Sequence, residues 1–419
     1  MVNDSYITSL HAKEIGLFKE LNIEFNQKFN FLIGPNGCGK TSIIRCLAIA
    51  LDPRESIYFS RYGKDAEVWI DFRLDNEKYR LGAGRGFANN GNHYRNARVL
   101  QYKAPPAKKG RISLKTYTLE QKNLNFAPLI IGAYRRIDYQ KIEGMKAFNP
   151  PTVQRNFYRT IAIKNLEGIF LPNVKQWLIN KFFSIPQSWA KYERINWEWL
   201  LDNMKNIGPV DVDFNFIEIK KDLEPIFSIN GVNCYIEELS AGYQSVLSLI
   251  FTIFDWIEGI NEETDKIAQN AVGTVIIDEL DIHMHPEWQF TIRKTLQKLF
   301  PKLQFIVTTH SPHLIGTAEP NEIIILPKFS RIINVKSSDR SYAGWTTDQI
   351  LEDLMGVKSL KNILYEKLFN EARNAIEEKN IKELKRIILE LENITHPSDT
   401  IVERLKIELS SLLLSDKND

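Results

Sequence analysis

Gly34-Pro35-Asn36-Gly37-Cys38-Gly39-Lys40-Thr41 is the stretch of this 419-residue chain whose residue types commit most clearly to a chemistry. It is a complete GxxxxGK[ST] pattern between an apolar strand, FNFLIG, and an apolar helix, TSIIRCLAIAL. Glycines let successive backbone N–H groups point inward and cradle phosphate oxygens, and the helix N-terminus adds positive potential. Lys40 would reach the β- and γ-phosphates, Thr41 would hold Mg²⁺, and Ser42 follows in the same phosphate-binding turn. A second constellation is Asp278-Glu279, directly after the apolar run Thr274–Ile277. Parallel sheets bind ligands at the carboxyl ends of such strands. Asp278 would bind Mg²⁺ through water. Glu279 would polarise an attacking water, because phosphoryl transfer needs a positioned nucleophile more than covalent help.

Three further segments carry polar groups at element ends. Glu238-Leu239-Ser240-Ala241-Gly242-Tyr243-Gln244 leads into an apolar helix over 245–257. Ser240 reads as its N-cap, and a helix start bearing Ser and Gly is an anion site. The apolar strand in Gln304–Ser311 delivers His310 to the same sheet edge; a lone histidine of this kind is more often structural than chemical. His283 and His285 lie two apart with no third ligand nearby, which is poor zinc spacing. Pro286 instead suits the first turn of a helix.

These groups need elements to position them. Residues 6–15, 21–25 and 29–34 read as strands, and 66–80 alternates as a half-buried strand does. Residues 81–110 are rich in Gly, Asn and Pro and read as loop. A buried strand is expected at 129–134. Residues 135–235, with Trp177, Trp189, Trp197 and Trp199, read as a compact helical insertion with an aromatic core; no heptads mark a coiled-coil arm. Strand, helix, strand then follow over 274–311, the pattern of a parallel sheet covered by helices. From Trp345 onward the chain reads helical, with Ile381, Leu384, Ile388 and Leu391 on one stripe.

A composition of 43% hydrophobic and 25% charged residues suits a globular protein and argues against a disordered one. The net charge is +2, yet Lys78 to Lys115 holds ten basic residues and no acid, so the remainder sums to −8. That segment, with Tyr94 and Tyr102 for stacking, is either a DNA or RNA contact or a solvated loop. Cys38, Cys46 and Cys234 lack CxxC spacing, which fits a reducing cytoplasm and excludes a zinc hook or disulfide framework. No signal peptide or eighteen-residue apolar span is read, so no membrane is expected.

The order of these motifs resembles ABC-type ATPases of the RecF, Rad50 and SMC-like class: Walker A at 34–42, a signature like LSGGQ at Ser240–Gln244, Walker B at Asp278-Glu279, a D-loop, and a switch histidine, His310. Lys40 and Ser240 stand two hundred residues apart. The stretch IDELDIHMHPEWQ…LQFIVTTHSP, Ala133-Tyr134-Arg135-Arg136 and Gly344–Leu351 resemble one branch, the PtuA-type ATPases of Septu and retron anti-phage systems. The resemblance implies an α/β fold: an ABC-type P-loop head with a mixed sheet, a helical insertion between lobes and a helical C-terminal extension. Its lobes would span 1–135 and 236–335, with the insertion at 136–235 and the extension at 336–419. It implies ATP and Mg²⁺ as ligands. It further implies a homodimer or higher oligomer in which Ser240 and Gly242 of one head close over the γ-phosphate held by the other. His310 would sense that phosphate. Gln140 is the candidate for the glutamine of the lobe exit, and Ala241 stands where glycine is commonest. The branch also implies a separately encoded effector nuclease of HNH type, since the chain shows no nuclease motif of its own. Two other readings stay open: a RecF-like DNA-repair clamp, and a scaffold locked by ATP without hydrolysis.

Overall fold

Short apolar runs far apart in sequence assemble into one parallel sheet, and that sheet decides where the motifs meet. Its strands are β3 (Phe29–Ile33), β8 (Leu129–Ile131), β12 (Gly273–Ile277), β13 (Leu303–Thr308) and β14 (Ile323–Ile325), in the order β14-β3-β13-β12-β8. Every pairing is parallel, with Ile306 opposite Asn30 on one side and Ile276 on the other. A strand buried on both faces reads as a continuous apolar run rather than an alternation. β3 and β12 are buried at every residue. The computed structural model describes residues 4–53, 59–89, 98–115, 124–169, 173–209, 211–328, 330–357, 363–396 and 400–415.

The sheet separates two cores, because successive side chains point to opposite faces. Phe29, Phe31, Ile33, Val275, Ile277, Phe305 and Val307 pack on one side, against α5 (Ala241–Ile260) and α6 (Pro286–Leu299). Leu32, Ile130, Ile276, Ile306 and Ile324 pack on the other, against α1 (Lys40–Leu51) and a second sheet. That second sheet runs β15 (Ile332–Val335), β2 (Phe18–Glu24), β1 (Ser5–Ile15), β4 (Glu67–Leu74), β5 (Glu77–Asn89) and β6 (Arg98–Lys103), with β7 (Ile112–Lys115) beside β5. Among the described residues, no helix is long and apolar enough to cross a membrane.

The structure corrects two readings of this lobe. Residues 66–80 are not one strand but most of a hairpin: β4, a turn at Asp75 and Asn76, both left-handed at φ 50° and 67°, and the start of β5. Two-residue hairpin loops demand positive φ, which Asp and Asn tolerate. Within the expected loop at 81–110, residues 81–89 and 98–103 are strand. A Cβ at Gly82 would sit 2.1 Å from the Val68 carbonyl, so the glycine here lets two strands approach and does not break one. Tyr94 and Arg95 lie outside the described residues.

The insertion is helical at first, with α2 (Pro151–Thr160), α3 (Val174–Ser184) and α4 (Lys191–Asn203). It then forms an antiparallel sheet of β9 (Phe214–Ile219), β10 (Pro225–Ile229) and β11 (Val232–Tyr235), which a purely helical reading misses. Phe214 stacks on Phe227 across that sheet. Trp177, Trp197 and Trp199 join the core as expected, whereas Trp189 is 56% exposed.

Val357–Asp419 is a compact unit separate from Met1–Gly356. Its helices α7 (Ile363–Glu377), α8 (Ile381–Ile394) and α9 (Thr400–Ser415) enclose their own apolar cluster. Leu384, Ile388 and Leu391 are buried there together with Ile387, while Ile381 is half-buried.

Candidate functional site

The chain leaves β3 at Ile33 and curls through Gly34–Gly39 before α1 begins at Lys40. Gly39 has φ 102°, and a Cβ there would meet the Phe18 ring at 2.8 Å, so both conformation and space require glycine. The loop curls around the Lys40 side chain, whose Nζ donates to the Gly34 carbonyl at 2.8 Å and the Pro35 carbonyl at 3.3 Å. Burial lowers the Lys40 pKa, against the pull of Cys38, Asp278, Glu279 and Asp281. The neighbouring Cys38 is buried and its thiol is raised by that burial. Asn36 and Gly37 sit exposed at the loop tip, and Ser42 is half-buried on α1.

β12 ends at Ile277, which puts Asp278 and Glu279 beside this loop. Asp278 is 4% exposed and hangs from the sheet through its N–H to the Ile131 carbonyl. Its Oδ1 accepts from the Thr308 hydroxyl at 2.6 Å and faces the Thr41 hydroxyl at 3.3 Å. The Thr308 hydroxyl in turn accepts from the Glu279 N–H at 2.7 Å. Glu279 takes φ 51°, uncommon for a residue with a side chain. His310 leaves β13 next to them, and its N–H donates to the Asp281 carboxylate at 3.2 Å. His310 is itself exposed. Burial first, then the Lys40 ammonium, lower its pKa, while Asp281, Glu279 and Asp278 pull the other way.

The Thr41 and Asp278 oxygens are hard donors of the kind Mg²⁺ takes. Mg²⁺ typically uses one or two protein ligands and keeps several waters or phosphate oxygens. Together with a glycine cradle opening a helix, this donor set fits a magnesium-bound nucleoside triphosphate. Among the described residues no group of three or more His, Cys, Asp or Glu is arranged to hold a metal by itself.

Ser240 is the N-cap of α5, yet its side chain makes no capping hydrogen bond and is exposed. Gly242 is buried: a Cβ there would lie 2.6 Å from the Trp288 ring and 2.9 Å from the His283 carbonyl. Gln244 ties the signature to its surroundings. Its Nε2 donates to the Glu237 and Leu239 carbonyls, both at 2.9 Å, and its Oε1 accepts from the Ile137 N–H at 3.1 Å. Gln140, the expected lobe-exit glutamine, is engaged instead with Asn173 of the insertion at 2.6 Å. His285 caps α6 at the start of that helix.

Two residues escaped the sequence reading as site components. Thr308 bridges both acids, and its only signal is its place in TTHS. Arg135, noticed only within AYRR, buries its guanidinium against the carbonyls of Asp278, at 3.2 Å, and Glu279. The basic segment is partly spent inside the fold. Arg80 and Arg111 both pair with Asp71, and Arg85 donates to the Phe59 and Tyr62 carbonyls, whereas Lys78, Lys108 and Lys109 are exposed.

Residues 162–315 match a family described as an AAA ATPase domain, and residues 9–142 match one described as an AAA domain. "Septu protein PtuA" of Bacillus thuringiensis is 25% identical over 416 residues, 96% of this chain and 98% of that one. A second "Septu protein PtuA", of Bacillus mycoides (strain KBAB4), is 24% identical over 419 residues, 93% of this chain and 51% of that one. "Retron Ec83 probable ATPase" of Escherichia coli is 29% identical over 196 residues, 46% of this chain and 35% of that one. The chain thus spans nearly the whole of one relative and about half or less of the other two. Among solved structures, the SMC head domain from Thermotoga maritima aligns with 81% of this chain and 100% of its own, at TM-score 0.44 and 14% identity. The SmcHead bound to the C-winged helix domain of ScpA aligns with 81% and 99%, at TM-score 0.47 and 15% identity. Two stretches of the chain thus match AAA family models, and the chain is similar in sequence to the PtuA and retron ATPases.

Proposed function

We propose that the chain hydrolyses ATP at a site shared between two copies, and that this reaction regulates a separately encoded effector nuclease in bacterial defence against phage. The convergence of the Thr41 hydroxyl, the Thr308 hydroxyl and Asp278, with Glu279 next in chain, carries the chemical part of this reading. Bound at Thr41 and Asp278, Mg²⁺ would offset charge on the phosphates. Residues 34–42 hold the triphosphate, with Lys40 on its β- and γ-phosphates. Glu279 orients the attacking water, and His310, kept neutral, hydrogen-bonds the γ-phosphate region. Ser240 and Gly242 supply the facing anion site from the second copy. The uncapped, exposed Ser240 hydroxyl supports that role, because it is not consumed by its own helix. The full-length similarity to a Septu PtuA supports the defence role and a partner protein.

Lys40→Ala is expected to abolish nucleotide binding. Glu279→Gln should keep it and accumulate an ATP-bound dimer, read by light scattering after gel filtration. Hydrolysis by Glu279→Gln at the wild-type rate overturns the assignment. Co-purification with the product of a neighbouring gene, followed by a nuclease assay with and without ATP, tests the effector. A neighbour that neither binds nor changes its nuclease activity removes that part.

A further inference from the structure

Arg135 stands out because its burial is so complete and its hydrogen bonding so one-sided. It is 3% exposed, and its Nη2 donates to the backbone carbonyls of both Asp278 and Glu279. Its Nε and Nη1 are buried with no hydrogen-bond partner. A buried polar group left unpaired calls for a reason, and a buried charge more so. Burial pushes this guanidinium down to about 10, with Asp281, Asp278 and Glu279 acting against the shift, so it stays charged at neutral pH. Among the described residues its hydrogen bonds go to the backbone of the two acids and to no carboxylate oxygen. That backbone is the strained part, since Glu279 is left-handed at φ 51°. Residues in sparsely populated conformations persist where their surroundings over-determine them. At Glu279 the N–H is held by Thr308 and the carbonyl by Arg135, so both sides of the residue are pinned.

The segment that carries Arg135 is anchored at its other end too. Two residues on, the Ile137 N–H donates to Gln244, whose amide holds the loop before the signature helix. Residues 135–137 therefore bridge the end of β12 and the start of α5 within one head.

We propose that Arg135 is a positioning residue for hydrolysis: it fixes the backbone of Glu279 so that the carboxylate faces the reacting water, and the 135–137 segment holds that acid in register with the signature of the same head. This rests on the reading of Glu279 given above. Arg135 touches no reacting atom, so its loss should act on the rate and not on nucleotide capture by Lys40 and Thr41.

The test uses the full chain with Arg135→Ala and Arg135→Lys, each in the wild-type and Glu279→Gln backgrounds. Steady-state and single-turnover hydrolysis, fluorescent-nucleotide affinity and thermal melting are read together. For Arg135→Ala we expect kcat to fall about 10–100-fold, the range for outer-shell partners of a site, with nucleotide affinity retained. Arg135→Lys should recover part of that loss, because an ammonium can also donate to two carbonyls. In the Glu279→Gln background Arg135→Ala should add little, since both changes remove the same function. Wild-type turnover by Arg135→Ala overturns the proposal. So does an equal fold-loss in both backgrounds. A joint fall of affinity, melting temperature and rate that Arg135→Lys does not rescue also overturns it, because it marks a packing role alone. If Glu279→Gln itself turns over like wild type, the reading of the site fails and this inference with it. If Glu279→Gln is inactive and Arg135→Ala turns over like wild type, only the inference fails.

Discussion

The Thr308 hydroxyl donates to Asp278 and accepts from the Glu279 N–H, so one side chain aligns the acid proposed to bind the metal and the acid beside it. A hydroxyl suits both tasks because it is donor and acceptor at once. His310 differs: its surroundings act on its charge. Burial and Lys40 lower its pKa beneath the ordinary value of 6.5, so its ring remains neutral where a free histidine would begin to protonate. The sign follows directly. Protonation costs more in the folded chain than in the unfolded one, so acidification through and below pH 6.5 works against the fold at this position. The ratio of wild-type to His310→Gln hydrolysis rates should stay level from about pH 8 down past the free-histidine value, and fall only below it. A midpoint above 6.5 in that ratio would contradict the environment described here.

At the scale of elements, the signature helix α5 is set by packing as much as by ligand chemistry. Gly242 is pressed against Trp288 of α6 and the His283 carbonyl, while Ala241 beside it is exposed and has room for its methyl group. The departure at Ala241 therefore costs nothing in this chain's own packing, and the glycine that this packing requires is the next one. Gly242→Ala should destabilise the chain by about 1–3 kcal/mol through overpacking, and should displace Ser240 at the helix start. Urea denaturation checks the first effect and hydrolysis rate the second. An unchanged denaturation midpoint would mean that Trp288 yields freely. The glycine-rich strand β5 teaches the same point from the other direction. The glycines of 81–110 read as loop signals, yet at Gly82 the Val68 carbonyl demands glycine inside a sheet.

For the molecule as a whole, among the described residues, the two cores around the parallel sheet draw on none beyond Met355, and the cluster in Val357–Asp419 draws on none before Tyr365. A chain ending at Gly356 should therefore fold and bind nucleotide like the full chain, as measured by fluorescent-nucleotide titration. Aggregation or lost affinity would show that Val357–Asp419 supports the head. The electrostatic picture also narrows at this scale. Arg80, Arg85 and Arg111 serve the fold, so the basic surface expected over 78–115 rests, among described side chains, on Lys78, Lys108 and Lys109.

The sequence by itself determined whatever is chemically local. Residues 34–42 could be read because a phosphate cradle needs contiguous backbone, and Asp278-Glu279 because a buried strand announces its own end. The same holds for β3, β8, β12 and β13 of the parallel sheet and for the stripe on α8. Only the tertiary structure decided what depends on distant partners. Thr308 meets Asp278 across thirty residues and Arg135 meets Glu279 across 144, and neither separation leaves a local pattern. The strands β5, β6 and β9–β11 were hidden for a related reason. Strand pairing is a property of neighbours, and glycine signals a turn or a close approach depending on what lies across from it.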